Sequence, residues 1–101
     1  MVFNILWSKK ALLDIEDSLE WYSEINSVLP KRFYNEILKK VILLTKNPHL
    51  FQIKFDSFRE LPLKKFPYII IYEIIDNKVI IIAVFHTSKN PDKKKSTKTN
   101  L

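Results

Sequence analysis

A polar segment, His86-Thr87-Ser88-Lys89-Asn90 followed by Pro91, comes directly after a long apolar run and includes the best candidates for chemistry in this chain. His86 suits acid–base catalysis, because an unperturbed imidazole titrates near neutral pH. Lys89 adds a cation that could contact phosphate. The alternative for His86, which we favour, is structural: it ends a strand and hydrogen-bonds to backbone at the rim of a sheet.

Three further cations precede this run. Arg59 is the arginine of the second half of the chain, and Lys64 and Lys65 lie in the turn before Phe66. An arginine fork matches the geometry of a phosphate, so Arg59 could contact nucleic acid or an acidic protein partner. Equally, Arg59 could form an ion pair with Glu60 or Glu73 on neighbouring strands. For Lys64 and Lys65 we favour a solvated turn over phosphate binding.

Several classes of site are excluded by composition. The chain has no glycine, which excludes the glycine-rich phosphate loops of the common nucleotide-binding folds. It has no cysteine and two widely separated histidines, a spacing that predicts no metal site. We therefore expect neither a metal nor a cofactor.

The positive charge lies mainly in the second half. The net charge is +6 over 101 residues. Residues 1–50 carry 7 basic and 6 acidic residues, whereas residues 51–101 carry 10 basic and 5 acidic ones. Such a basic half can attract nucleic acid or an acidic partner. We expect no signal peptide, because the charges of the first ten residues follow the apolar stretch rather than precede it. No apolar run approaches the length of a membrane helix.

Two helices are predicted in the first half. Val2–Trp7 is a short β-prone segment, and Ser8 is a candidate N-cap for an amphipathic helix from about Lys9 to Ile25. Pro30 suits the first turn of a second helix, which ends at Asn47-Pro48. The short link between the helices predicts an antiparallel hairpin. The acidic residues of the first helix are interpreted as solvated surface: Asp14, Glu16, Asp17 and Glu20.

The second half is predicted to be a β-sheet. Phe58–Leu63 alternates and could form an edge strand, while Tyr68–Ile75 and Val79–Phe85 are the clearest strands, joined by a tight turn at Asp76-Asn77. Leu50, Phe51, Ile53 and Phe55 are expected to tuck under the sheet. The order is β-α-α-β-β-β, an α+β fold with a helical hairpin packed on a small antiparallel sheet.

Domain organisation is simple. Residues 1–91 are predicted to form one domain, and residues 92–101, DKKKSTKTNL, a flexible lysine-rich tail.

Tyr68 and Tyr72 share one face of a strand; aromatic rings in such a place can stack on bases, but core packing is the preferred interpretation.

Over roughly residues 3–91 the chain resembles toxins of the RelE/ParE superfamily of bacterial type II toxin–antitoxin systems. An FPY sequence opening a strand, then a hairpin, then an H-x-x-K-x-P ending carry the likeness. In this sequence the FPY strand is Phe66–Glu73, the hairpin continues with Val79–Val84, and the ending is His86–Pro91. Further support comes from Arg59-Glu60-Leu61, Trp7–Ala11, Asp14, Ile15 and Tyr22.

The resemblance implies the same fold and a growth-inhibiting protein that acts in the cytoplasm. It also implies a co-expressed antitoxin that neutralises the toxin in a hetero-oligomer, with no membrane involved. RelE-like toxins are metal-independent enzymes that cleave mRNA in the ribosomal A site, whereas ParE-like toxins block DNA gyrase and are not known to need a catalytic residue. A third alternative is a non-toxic member that only binds antitoxin or nucleic acid.

Cleavage of RelE type is an attack by a ribose 2′-hydroxyl on the adjacent phosphate, assisted by basic side chains. On that reading the catalytic residues here are His86, Lys89 and Arg59, and the nucleic-acid contacts are Lys64, Lys65, Arg59 and Lys89. Ile69, however, stands where the RelE pattern has an arginine, and Lys89 stands where it has a second one. Because isoleucine can neither bind phosphate nor transfer a proton, the sequence slightly favours ParE-like inhibition of gyrase.

Overall fold

The computed structural model describes residues 2–87. Lys89 and the predicted tail, residues 92–101, lie outside the described residues. The elements, in chain order, are β1 (Asn4–Trp7), α1 (Lys9–Ile25), α2 (Leu29–Lys46), a short 3-10 helix (Pro48–Leu50), β2 (Ile53–Phe55), β3 (Phe58–Pro62), β4 (Tyr68–Ile75) and β5 (Lys78–His86). None of the helices in this part of the chain is long and apolar enough to span a membrane.

The predicted α+β architecture is confirmed. The sheet has the strand order β1-β5-β4-β3-β2, and the helical hairpin of α1 and α2 packs against one of its faces. Burial alternates along β4, with Tyr68, Ile70 and Tyr72 buried on the helix side. The same side of the sheet contributes Val79 and Ile81 to the core. One apolar core therefore lies between the hairpin and the sheet.

Two features of the sheet differ from the expectation. The sheet is mixed rather than antiparallel, because β1 pairs parallel with β5; apolar alternation reveals that a segment is a strand but not its direction. In addition, Ile53–Phe55 forms an edge strand, β2, where a connection was expected. As a result β3, expected at the edge, is paired on both sides at Phe58 and Arg59. The residues expected to tuck under the sheet are largely exposed: Leu50, Ile53 and Phe55 face solvent, and only Phe51 packs against the core.

Local rules account for the element ends. The Ser8 hydroxyl accepts a hydrogen bond from the Ala11 N–H at 3.0 Å, which confirms it as the N-cap of α1. Ile75 pairs with Lys78 across the turn at Asp76-Asn77. Asp76 adopts φ 55, a left-handed conformation that aspartate tolerates better than most residues. The turn therefore forms without glycine.

The side chains of Ser8 and Asp14 connect α1 to β5 beside a bulge in that strand. Ile71 pairs with Ala83 and Tyr72 with Ile81, so Ile82 has no partner in β4. The Ser8 hydroxyl donates to the Ile82 carbonyl at 2.7 Å, and an Asp14 carboxylate oxygen accepts from the Val84 N–H at 2.9 Å. Asp14 was interpreted as solvated surface, and that was wrong: its carboxylate accepts from a backbone N–H of β5 that lies beyond Ile81, the last β5 residue paired with β1.

Candidate functional site

His86 lies at the end of β5, directly opposite Tyr68 of β4. Its ring makes edge-on contacts with two aromatic rings, at a centroid distance of 4.7 Å to Tyr68 and 6.0 Å to Trp21. The side chain is half-buried. Such contacts fix the plane of the imidazole. They hold the ring at the rim of the sheet and leave part of it accessible.

The turn before β4 lies beside His86. The Pro67 carbonyl accepts hydrogen bonds from the Thr87 N–H at 2.8 Å and the Thr87 hydroxyl at 3.1 Å. Within the turn, the Lys64 N–H donates to a carboxylate oxygen of the buried Glu36 at 3.3 Å. The structure thus brings Lys64, Lys65 and His86 to one end of the sheet, and both lysine side chains are exposed there.

Arg59 lies elsewhere. It faces Tyr72 across β3 and β4, four residues along the strand from Tyr68 and His86. Four residues span about 13 Å along a strand, and β3 and β5 are two strand spacings apart, so Arg59 is roughly 16 Å from His86 by backbone position. The three predicted catalytic residues are therefore not brought together: Arg59 is remote from His86, and Lys89 is not among residues 2–87.

The interactions of Arg59 also differ from the pairings considered from sequence. Its guanidinium donates to the Phe51 carbonyl at 2.5 Å and so holds the segment before β2 against β3. Glu73 instead accepts a hydrogen bond from the Ser57 hydroxyl at 2.6 Å. No ion pair joins Arg59 to Glu60 or Glu73 within the described residues. Arg59 therefore has an evident structural role in this chain.

Ile69 points away from the helices. It pairs with Phe85 of β5 and Pro62 of β3, and it follows Tyr68, whose side chain is buried on the helix side. The two neighbours therefore project from opposite faces. Ile69 therefore lies in an apolar, half-buried part of the sheet face that the hairpin leaves uncovered.

That uncovered face is predominantly apolar. Strand alternation and register give it these apolar residues: Leu6 of β1, Phe55 of β2, Phe58 of β3, Ile69, Ile71 and Ile75 of β4, and Ile80 and Phe85 of β5. The same register places four polar residues on this face: Asn4, Glu60, Glu73 and Lys78. Among the apolar residues, Leu6, Phe55 and Ile75 are exposed, and the rest are half-buried. An apolar surface of this extent is typical of a docking site for another protein.

Three tyrosines belong to the core between the hairpin and the sheet: Tyr22, Tyr68 and Tyr72. The Tyr72 hydroxyl donates to the Pro48 carbonyl at 2.6 Å, and burial raises the pKa of Tyr72 to about 12, with the nearby Arg59 opposing the shift. Burial also raises the pKa of Tyr22 to about 12, reinforced by the neighbouring Tyr68. Among the described residues, the buried Tyr68 hydroxyl has no hydrogen-bond partner. Both tyrosines of β4 are core residues, as preferred from sequence.

Metal ligands do not cluster in the described part of the chain. Within residues 2–87 there is no group of three or more histidine, aspartate or glutamate side chains placed to hold an ion.

Comparison with known proteins places these features in context. A family model described as the ParE toxin of type II toxin–antitoxin system, parDE, matches residues 5–91. The fold is similar to that of a chromosomal ParDE system from P. aeruginosa, with TM-score 0.77 and 14% identity, covering 86% of this chain and 98% of that one. Comparison with curated proteins found no match.

Two E. coli structures share the fold at lower similarity. The isolated RelE toxin aligns with TM-score 0.60 and 16% identity over 98% of this chain and 99% of that one. A RelE mutant in complex with an antitoxin RelBc peptide aligns with TM-score 0.53 and 14% identity over the whole of both chains. At these identities the structural likenesses establish a common fold.

Proposed function

The chain belongs to the ParE toxin family of type II toxin–antitoxin systems, and from this premise we propose that it is a growth-inhibiting toxin whose target is DNA gyrase. Inhibition is by binding, without a catalytic residue. A cognate antitoxin neutralises it in a cytoplasmic hetero-oligomer.

The observation that carries the choice of mechanism is Ile69. Its side chain lies in an apolar surface between Phe85 and Pro62, where a cleaving relative has an arginine. Arg59 cannot substitute for that cation, because it is engaged with the Phe51 carbonyl far from His86. A binding mode needs no such convergence of charged groups.

A second candidate is ribosome-dependent mRNA cleavage without a metal. It is favoured by the grouping of Lys64, Lys65 and His86 at one end of the sheet, with Lys89 three residues further along the chain. These residues would bind the RNA backbone, with His86 as acid or base and Lys89 as the phosphate ligand. In this second mechanism Arg59 stabilises the fold through its hydrogen bond to the Phe51 carbonyl and does not contact the phosphate.

The antitoxin is proposed to dock on the uncovered face of the sheet. That face is apolar and exposed at Leu6, Phe55 and Ile75, and its edge strand β2 has unpaired backbone on its outer side. The RelE mutant with a bound antitoxin peptide has the same fold. The net charge of +6 further favours an acidic partner.

Regulated expression tests the proposal. Expression alone should arrest growth, and co-expression of the cognate antitoxin should restore growth. In supercoiling assays the purified chain should inhibit gyrase, while mRNA ends after induction should show no new cuts within codons. Cuts within translated codons together with unaffected gyrase would establish the nuclease instead. A folded, well-expressed chain that leaves growth unchanged would show a non-toxic member that only binds antitoxin or nucleic acid.

A matched pair of variants separates the two mechanisms. H86F keeps an aromatic ring against Tyr68 and Trp21 but removes the imidazole nitrogens, so it should leave toxicity unchanged under gyrase inhibition. Under mRNA cleavage it should reduce activity about a hundredfold or more, the usual contribution of a general acid or base. H49F, at the exposed histidine of the 3-10 helix, is the control. Lys89→Ala should follow the same pattern as H86F.

A further inference from the structure

The solvent face of the helical hairpin carries a second apolar surface, separate from the uncovered face of the sheet. Tyr34, Leu38 and Ile42 recur every four residues on α2 and are all exposed, with Ile42 60% accessible. On α1, Leu12 is 54% accessible and Leu13 is also exposed. Since Leu12 lies near the start of α1 and Ile42 near the end of α2, the antiparallel hairpin places them at the same level.

Opposite charges accompany this surface on the two helices. Helix α1 contains two lysines and five acidic residues, whereas α2 contains five basic residues and one glutamate. Glu16, Asp17, Glu20 and Glu24 are exposed on α1, and Lys31, Arg32, Lys39 and Lys46 on α2. The two ion pairs of the described residues, Lys10–Asp14 and Lys40–Glu36, each lie within one helix. Within the described residues, no ion pair therefore joins an exposed charge of α1 to one of α2.

We propose that this face binds a second copy of the chain, forming a symmetric dimer through a four-helix bundle. The charges select the symmetry axis. A two-fold axis parallel to the helices sets α1 of one copy against α2 of the other, acidic against basic. An in-plane axis perpendicular to the helices would oppose α1 to α1 and α2 to α2, placing like charges together.

The same axis brings Leu12 and Ile42 together. Because it preserves position along the helices, Leu12 of one copy faces Ile42 of the other, and Glu16 faces the region of Leu38 and Lys39. Two helices of this length present a face about 27 Å long and about 20 Å wide. That size is of the order of the area that each partner buries in a specific interface. The sheet face stays free for the antitoxin.

Sedimentation of the purified full chain over a wide concentration range tests this inference. The expected species has twice the 12.1 kDa mass of the chain. I42E should raise the dissociation constant about a hundredfold or more, because dimerisation would bury two unpaired carboxylates. I75E is the matched control: the same substitution, at a residue 45% accessible on the sheet face, should leave the dimer intact. Circular dichroism checks that each variant is folded.

Charge reversal tests the predicted axis. Lys39→Glu and Glu16→Lys should each weaken the dimer roughly tenfold, since each replaces two symmetry-related attractions by repulsions. The double variant should restore it. A folded chain that stays monomeric, or a dimer broken by I75E and not by I42E, would overturn the proposal. The proposal would also be overturned if the chain is monomeric and its helical hairpin gains protection from hydrogen exchange only when antitoxin is added.

Discussion

The Tyr68 and Tyr72 hydroxyls are both buried on β4, but they differ in their partners. Tyr72 donates to the Pro48 carbonyl, whereas Tyr68 has no partner within residues 2–87. Y72F should therefore lower the free energy of unfolding by about 1–2 kcal/mol, because a buried carbonyl loses its donor. The Tyr68 hydroxyl lies beside the Ser18 and Tyr22 side chains but makes no hydrogen bond as well formed as that of Tyr72, so we expect Y68F to lose less, below about 1 kcal/mol. Urea titration measures both; equal losses would contradict the assignment.

The raised pKa of Tyr72 predicts a loss of stability at alkaline pH. Burial raises the pKa of Tyr72 from 10.0 to about 12, so between these values the unfolded chain releases the proton and the folded chain retains it. Folding is then opposed as pH rises, and the stabilisation present below pH 10 is lost towards pH 12. Y72F should flatten the fall in unfolding free energy over this window. An identical pH profile for both proteins would refute it.

At the scale of elements, α1 is fastened to β5 by Ser8 and Asp14. Asp14→Ala leaves the Val84 N–H without its acceptor, and we expect a loss of about 1–3 kcal/mol in the free energy of unfolding. The matched control is Asp17→Ala on the same helix, where the side chain is exposed and the change should stay within about 0.5 kcal/mol. Asp14→Asn, which keeps an acceptor oxygen, should lose less than Asp14→Ala.

The contacts of Ser8 and Asp14 with β5 also show which features of the structure can be predicted from sequence. Periodicity and caps predicted both helices, β4 and β5 closely, because each is determined by local pattern and burial. The parallel partner of β1 and the bulge at Ile82 depend on contacts between distant segments, so no local pattern reveals them. Asp14 was misjudged for that reason, since its partner lies 70 residues away. The candidate residues were likewise visible as residue types, but the separation of Arg59 from His86 follows from strand register alone.

The molecule as a whole has two exposed apolar surfaces and an asymmetric charge. The hairpin face combines acidic α1 with basic α2 and is self-complementary, whereas the sheet face is apolar and borders the basic turn at Lys64 and Lys65. A toxin that must be neutralised and still reach a target needs surfaces that can be occupied separately. In the proposed arrangement the second copy and the antitoxin use opposite sides of the core, so binding of one leaves the other accessible.

The final prediction concerns residues 92–101, which lie beyond the segment matched by the family model. Within the described residues 2–87, the core residues lie between 11 and 84, and we predict that a chain ending at Pro91 unfolds at the same urea concentration as the full chain. The deletion removes four lysines and one aspartate, which lowers the net positive charge. Binding to an anionic partner should therefore weaken and become less salt-dependent. Heparin affinity at several salt concentrations measures this, with glutamine in place of Lys93, Lys94 and Lys95 as a control of unchanged length. A clear drop in the unfolding midpoint would instead make the tail part of the folded domain.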